Sequence, residues 1–290
     1  MHTFWVLLVA GITSGAVYGL LAVAICLTYR VSKVINAAIG ELMVLGALIA
    51  SSLIGRGWPL AIAVVVGVGV VGLVAAAFSG IILRPAIKAK STMSQLLLVT
   101  FSLSILLQGV MLVAYGRDIH SAPAWIGGDG MTIGGVVLQP QRLLILAATL
   151  ALGTGLVLYF SRSVHGRAMT ATSQNPVGAA LVGISVSRFR DVAFVGTAVI
   201  AALLGCMLIP ITPFVYNAGL PLALVGMVGA TLARFVNIGV AMAAGIVIGV
   251  LEQMIARYVS ADLQTSLVYI VLTVLMLAVP SAFATAKARA

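Results

Sequence analysis

The feature that most restricts the fold of this chain is a series of apolar runs, each near the length of a membrane-spanning helix. A helix needs about 20 predominantly apolar residues to cross the hydrocarbon core of a bilayer. The runs of this kind are residues 4–28, 35–54, 59–83, 96–115, 143–160, 192–208, 219–232, 238–255 and 263–278. The seventh run is too short to cross the hydrocarbon core as a single helix, which indicates a broken helix.

The composition agrees with a fold built in lipid. Only 8% of the residues are charged and 62% are hydrophobic, whereas a soluble domain carries about 25% charged residues. The runs lack the alternation of polar and apolar residues that membrane barrel strands show. We therefore predict one all-α polytopic membrane domain over residues 1–290, with about eight to nine transmembrane helices, some short or broken.

The distribution of basic residues predicts which loops face the cytoplasm, because cytoplasmic loops carry an excess of Lys and Arg. With the N-terminus outside, the inner side receives twelve of the sixteen basic residues. The outer side receives Arg56, Arg117, Arg142 and Arg257. We therefore expect a multi-pass membrane protein with an external N-terminus and a cytoplasmic C-terminus. The basic residues form no stripe with interleaved aromatics, so the net charge of +10 does not indicate nucleic-acid binding.

Two connecting segments are long. The first, residues 116–141, is predicted to be an external loop, and its stretch "MTIGGVVLQP" suits a small hairpin. This loop also contains Asp118, His120 and Asp129. An ordinary surface loop and a docking surface for an external partner are both open interpretations.

The second long connection, residues 161–190, is predicted to be cytoplasmic. Its centre, "SQNPVGAALVGIS", predicts a short helix, because Asn175 suits an N-cap, Pro176 the first helical position and Gly183 a helix stop. The helix would carry Val177, Ala179, Ala180 and Val182. Two interpretations are open: a helix that rests on lipid, and a helix that enters a groove on a cytoplasmic protein.

The sequence offers no sign of catalysis or of metal binding. It contains no Gly-x-x-x-x-Gly-Lys-Ser/Thr phosphate loop and no Gly-x-Ser-x-Gly nucleophile motif. Its three histidines, His2, His120 and His165, follow no metal-ligand spacing. The spans carry no paired carboxylates, so we predict that the chain is not an enzyme and binds no cofactor of its own.

A few polar residues within the apolar runs are the candidates for function. Asn36 and Glu41 lie in the second run with Gly40 between them, Gln108 lies in the fourth, and Glu252 lies near the outer end of the eighth. A charge at membrane depth costs about 2.5–3.5 kcal/mol on insertion scales and normally faces a bundle interior or a watery cavity. The second run therefore indicates either part of a translocation route, next to a helix break, or a buried polar lock between helices. Glu252 is close enough to a helix end to be interfacial.

Two glycine repeats predict close helix packing. Gly11, Gly15 and Gly19 recur at four-residue spacing in the first run, and Gly245 and Gly249 do so in the eighth. Small residues at this spacing let membrane helices approach closely.

Four segments, in order along the chain, resemble the permease subunits of branched-chain amino acid ABC importers, the LivH-like family. The first is "GLLAVAICLTYRVSKVINAAIGELMVLGA", where Ile35 to Glu41 stand at the family's Ile-Asn-Phe-Ala-His-Gly-Glu core. The second is "LRPAIKAKSTMSQLLLVTFSLSILLQ", which is similar to the family's Arg-Pro loop and the span after it. The third, "HGRAMTATSQNPVGAALVGISVSRFR", resembles the loop with the coupling helix, and "GLPLALVGMVGATLARFVNIGVAMAAGIVIGVLE" resembles the closing glycine-rich hairpin.

The chain departs from the family pattern at three places. Ala37 and Ile39 replace the aromatic residue and the histidine of the core, and Gly229-Ala230 replaces a Gly-Gly pair. Gln174 stands where the coupling loop often has an acidic residue. The departures bear on the substrate, because the family also carries urea, short amides and aromatic carboxylates.

The resemblance implies a type II-like ABC importer permease architecture and several partners. These are a second homologous permease (LivM-like), two ATPase subunits that bind the ATP, and an extracytoplasmic substrate-binding protein. The expected substrate pathway comprises Asn36, Gly40, Glu41 and Gln108. The residues expected to couple to the ATPase are Gln174, Asn175, Pro176, Ala179, Ala180 and Gly183. A stand-alone proton-coupled transporter or channel that uses Glu41, and a sugar-type ABC permease of the same fold, are the alternatives.

Overall fold

The computed structural model describes residues 2–127, 130–133, 136–260, 266, 269–270 and 273–274. Most of the predicted ninth run and the basic residues Lys287 and Arg289 lie outside the described residues, as does Asp129. The helices are α1 His2–Ser32, α2 Ile39–Gly55, α3 Leu60–Phe78, α4 Arg84–Lys88, α5 Met93–Tyr115, α6 Pro140–Arg162, α7 Val164–Gln174, α8 Pro176–Leu181, α9 Val186–Leu208, α10 Gly219–Leu232 and α11 Ile238–Tyr258. Strands β1 Met131–Ile133 and β2 Val136–Leu138 lie between α5 and α6.

The helices confirm the polytopic membrane fold. Within the described residues, six helical segments are long and apolar enough to cross a membrane, and α2 and α10 are shorter apolar helices. One of the six, Leu60–Lys88, is a continuous helix in which the π-helical turn Ser79–Leu83 joins α3 to α4. The shortness predicted for the seventh run is confirmed by α10, which has 14 residues.

Helices α1, α2 and α9 form the centre of the bundle. Most side chains of α2 are buried, and α1 and α9 are buried over more than half of their most apolar stretch. A hydrogen bond of 2.8 Å joins the hydroxyl groups of Thr28 in α1 and Thr197 in α9 inside this core. The outer helices instead expose large apolar side chains, such as Leu73 in α3 and Val113 in α5. In a water-soluble protein such faces would be unusual, but they suit contact with lipid.

The two predicted glycine faces pack directly against each other. Gly15 of α1 lies against the backbone of Gly245 and Gly249 in α11, and Gly11 and Gly19 continue the same contact in both directions. A Cβ atom at any of these positions would collide with the backbone or a side chain of the opposite helix. The close α1–α11 approach predicted from the spacing is therefore confirmed.

Several predicted helix boundaries were wrong. Helix α1 continues to Ser32, and α9 begins at Val186, six residues before the predicted run, because polar residues can extend a helix past the apolar segment. The connection 161–190 also holds a helix that was not predicted, α7, whose first turn is capped by Ser163 accepting from the Gly166 N–H at 2.8 Å.

The hairpin predicted within residues 116–141 is confirmed. Strands β1 and β2 pair antiparallel, with Met131 opposite Leu138 and Ile133 opposite Val136. The same segment is tied to the connection between α9 and α10, because His120 and Phe214 exchange two backbone hydrogen bonds of 2.9 Å. These two bonds therefore join the segment that follows α5 to the connection that follows α9.

Candidate functional site

The connection between α1 and α2 is a stretch of non-helical backbone buried inside the bundle. The chain turns at Lys33, whose φ angle is +58°, and residues 34–38 are buried before α2 begins at Ile39. Irregular backbone at membrane depth is tolerated only where protein or a water-filled cavity satisfies its polar groups. The helix break that the sequence predicts near Asn36 and Glu41 therefore lies between the end of α1 at Ser32 and the start of α2 at Ile39.

A single hydroxyl of α5 satisfies much of this irregular backbone. Thr100 donates to the Ile35 carbonyl at 2.8 Å and accepts from the Ala37 N–H at 3.3 Å. Asn36 adds a local bond, because its Oδ1 atom accepts from the Ala38 N–H at 3.1 Å. The Nδ2 atom of Asn36 is buried and has no hydrogen-bond partner among the described residues.

The Glu41 carboxylate lies in the first turn of α2 and is fully buried. Its Oε1 atom accepts a long hydrogen bond of 3.5 Å from Nε2 of Gln108 in α5. The Leu220 backbone N–H and the Ser104 hydroxyl also face this carboxylate. Even so, its Oε2 atom is buried and makes no hydrogen bond among the described residues. No ion pair joins Glu41 to a cation among the described residues.

The N-terminus of α10 meets the N-terminus of α2 at this carboxylate. A Cβ atom on Gly40 would overlap the Gly219 carbonyl oxygen, and one on Gly219 would lie against the Glu41 carboxylate. The two glycines thus allow a backbone contact that no other residue permits. Helix N-termini carry a partial positive charge that stabilises a nearby anion, which explains how a carboxylate is kept here without a cation.

The structure therefore gathers the four predicted pathway residues into one region. Asn36, Gly40 and Glu41 lie on the irregular segment and the start of α2, and Gln108 contacts Glu41 from α5. Sequence reasoning missed Thr100 and Gly219, which hold the segment in place. In the sequence, Thr100 appears as a threonine inside an apolar run, and Gly219 as a glycine at the start of a short apolar run. Both features are common in membrane helices, so neither marked a functional position. Glu252 lies elsewhere, on α11 facing the Tyr18 hydroxyl of α1.

The short helix predicted in the loop 161–190 is confirmed, together with its cap and its stop. The Asn175 side chain accepts from the Gly178 N–H at 2.8 Å, and Pro176 occupies the first turn of α8. Gly183 has a φ angle of +83°, and its N–H donates to the Ala180 carbonyl while the Ile184 N–H donates to Ala179. This pair of bonds is the Schellman arrangement that favours glycine.

Ala179 and Ala180, which were both predicted to couple to the ATPase, differ in exposure. Ala179 is 5% exposed and faces its own chain, whereas Ala180 is exposed. The most exposed apolar side chains of the segment are Val177, Leu181 and Val182, at 70%, 84% and 75%. Leu181 was absent from the predicted set, although it is the largest apolar residue that the helix presents. Gln174, at the end of α7, lines a cavity of about 470 Å³ together with Arg30 and Arg167.

No group of three or more His, Cys, Asp or Glu side chains in the described part of the chain is placed to hold a metal ion.

The profile of the family described as "Branched-chain amino acid transport system / permease component" matches residues 7–280. This chain belongs to that family. The permease is therefore a transport component and not an enzyme.

Curated relatives agree over most of the chain. The permease is 25% identical to the high-affinity branched-chain amino acid transport system permease protein LivH of Escherichia coli K12, over 93% of this chain and 92% of LivH. It is equally similar to LivH of Salmonella typhimurium. It is 29% identical to BraD of Pseudomonas aeruginosa, a permease protein of the same kind of system, over 84% of each chain.

A solved structure supports the fold. One chain of the complex of PsaBC from Streptococcus pneumoniae with a Fab aligns with 95% of this permease and 91% of that chain, with a TM-score of 0.52. The sequence identity of 16% limits this likeness to the fold.

Proposed function

We propose that this permease is the transmembrane half of an ABC importer for branched-chain amino acids or related small polar or carboxylate solutes. The related solutes that we consider include urea, amides and aromatic acids. The main support is membership of the family over residues 7–280. The chain has no phosphate loop of its own, so separate ATPase subunits would supply the energy.

The segment with Asn36, Gly40, Glu41 and Gln108 is the proposed substrate pathway. Asn36 and Glu41 are each 0% exposed, so this conformation is closed around them. Among the described residues, each nevertheless has one buried polar atom without a hydrogen bond, the Nδ2 donor of Asn36 and the Oε2 acceptor of Glu41. An unpaired buried polar group costs about 1–3 kcal/mol. An amino acid offers the complementary groups, a carboxylate for Asn36 and an ammonium for Glu41, so an opened state could satisfy both.

The coupling element is α8 with its flanking residues, namely Gln174, Asn175, Pro176, Ala179, Ala180 and Gly183. The cap and the stop fix both ends of a helix that presents Val177, Leu181 and Val182 outward. Such a rigid apolar projection suits a groove on an ATPase subunit better than free exposure to water. Closure of the ATPases would move α8 and switch the side that the pathway faces, as a two-state rigid-body change.

The remaining partners and the orientation follow the same scheme. The N-terminus and the loop 116–141 would lie outside, where a substrate-binding protein delivers the solute, and the loop 161–190 with the C-terminus would lie in the cytoplasm. A second homologous permease subunit (LivM-like) and two ATPase subunits would complete the complex in the bacterial inner membrane.

Substitution of Leu181 tests this function. In the reconstituted complex, Leu181→Asp should abolish ATP-driven uptake, because a charge replaces the most exposed apolar contact of α8. Val236→Asp is the matched control, since Val236 is a 62% exposed apolar residue in the connection between α10 and α11. Equal uptake by the two variants would contradict the coupling role of α8. A ligand screen of the cognate binding protein would identify the solute and separate amino acid from sugar transport.

The stand-alone proton-coupled transporter is not favoured, because the relatives are permease components of multi-component systems. It would require uptake by this chain alone in liposomes, driven by a pH gradient and lost in Glu41→Gln. We expect no such uptake.

A further inference from the structure

A basic cleft lies where α4 ends one spanning helix and α9 begins another. Its cavity of about 110 Å³ is lined by Arg84 and Lys88 of α4 and by Ser187, Arg190 and Asp191 of α9. Three cationic side chains thus meet one carboxylate. A space of this size holds several water molecules or one phosphate group.

Asp191, the one carboxylate among the described residues that line the cleft, already has partners. Asp191 accepts from the Ser79 hydroxyl at 2.7 Å and from Nε of Arg84 at 2.5 Å, and it forms the described ion pair with Arg84. These contacts fix Arg84 at the mouth of the cleft, where its side chain is 47% exposed. Lys88 and Arg190 make no ion-pair contact with a carboxylate among the described residues, although the Asp191 carboxylate also acts on the charge of Arg190.

Arg190 carries the strongest sign of a missing ligand. Its Nε atom is buried and makes no hydrogen bond within the described residues. A buried donor on a charged group is costly to leave unpaired. A phosphate oxygen is a suitable acceptor, because guanidinium groups bind phosphate through charge-assisted hydrogen bonds.

The surroundings of the cleft indicate that such a phosphate belongs to a lipid. Ile81 and Ile82 precede Arg84 in the π-helical turn, Val192 follows Asp191, and all three are exposed apolar residues on spanning helices. The cationic side chains of the cleft therefore lie at the ends of the apolar helix faces. This position corresponds to the depth of lipid head groups. Basic pockets between transmembrane helices bind anionic head groups in this way.

We propose that this cleft binds the phosphate of an anionic phospholipid, whose acyl chains lie along the apolar faces of α3 and α9. The assignment concerns a lipid site and is independent of the transported solute and of the coupling role of α8.

Native mass spectrometry of the full chain in detergent tests the proposal, with dioleoylphosphatidylglycerol as the probe and dioleoylphosphatidylcholine as the neutral comparison. Each Lys or Arg near an anionic head group adds to the binding free energy. Removal of one such charge should therefore weaken phosphatidylglycerol binding about fivefold. Lys88→Gln and Arg190→Gln should each show this loss. Lys90→Gln and Arg188→Gln are matched controls, because they remove the same charge on the same segments but do not line the cleft. Lys88 is exposed, so its variant remains informative if Arg190→Gln does not fold.

Three results would overturn the proposal. Equal phosphatidylglycerol binding by Lys88→Gln and Lys90→Gln would show that the cleft does not hold the lipid. Stabilisation of the chain by inorganic phosphate alone, lost in Lys88→Gln, would assign the cleft to a free anion. An effect of Lys88→Gln seen solely when an ATPase subunit is bound would assign it to a protein interface.

Discussion

The contact between Gly40 and Gly219 yields the sharpest stability prediction, through the substitution Gly40→Ala. The added Cβ atom would meet three backbone atoms, the carbonyl carbon and oxygen of Gly219 and the Ala223 nitrogen, the last at 2.9 Å. Backbone atoms cannot rotate aside as a side chain can. Since carbon contacts are optimal at about 3.5–4.0 Å and the carbonyl oxygen of Gly219 would be the nearest atom, α2 and α10 would have to separate by more than about 1 Å.

Overpacking of this kind costs about 1–3 kcal/mol, and we expect the upper half of that range because the obstacle is backbone. Such a loss corresponds to a fall in Tm of about 3–5 °C for a chain of this length. The assay is thermal unfolding of the purified permease in detergent. Gly109→Ala in α5 is the matched control, because a Cβ atom there meets nothing within 4 Å.

The control variant should unfold at the original temperature or slightly above it, since alanine favours a helix by about 0.5–1 kcal/mol over glycine. If Gly40→Ala and Gly109→Ala unfold at the same temperature, the direct contact between the starts of α2 and α10 does not exist and the geometry of the site is wrong.

Two further substitutions test the elements around the site. Thr100→Val should lower the free energy of unfolding by about 2 kcal/mol, because it leaves the Ile35 carbonyl and the Ala37 N–H without their partner. Ser102→Ala, which loses a bond to Leu98 of its own helix, should cost under 0.5 kcal/mol in the same denaturation assay. Asn175→Ala should remove about 1 kcal/mol of helix capping and speed hydrogen exchange in α8 about fivefold. Ser185→Ala should leave exchange in α9 unchanged, because Ser185 makes no side-chain cap bond.

The sequence predicted most of the fold because the apolar runs are long and distinct. Eight of the nine predicted runs correspond to helices in the described residues, and the ninth lies largely outside them. The errors arose where polar residues continue a helix beyond its apolar part. The start of α9 at Val186 and the whole of α7 are examples, because neither stretch is apolar enough to be recognised by hydropathy.

The candidate site was partly predictable for a similar reason. Glu41 and Asn36 attract attention because polar residues are costly in an apolar run, and the structure buries both. Their surroundings could not be predicted, because Thr100 and Gly219 act through contacts between distant segments. Periodicity also failed to show that Ala179 faces inward while Leu181 faces outward, since α8 has six residues and its packing against α7 decides its exposed face.

Cysteine cross-linking at Leu181 tests most directly whether this permease is driven from the cytoplasm through α8. Both native cysteines, Cys26 and Cys206, are buried, so an introduced thiol can be addressed selectively. Leu181→Cys should cross-link to a nucleotide-hydrolysing subunit in the intact complex, while Ile119→Cys, in the loop 116–141, should not. Absence of the product at position 181, or its appearance at position 119, would contradict the account.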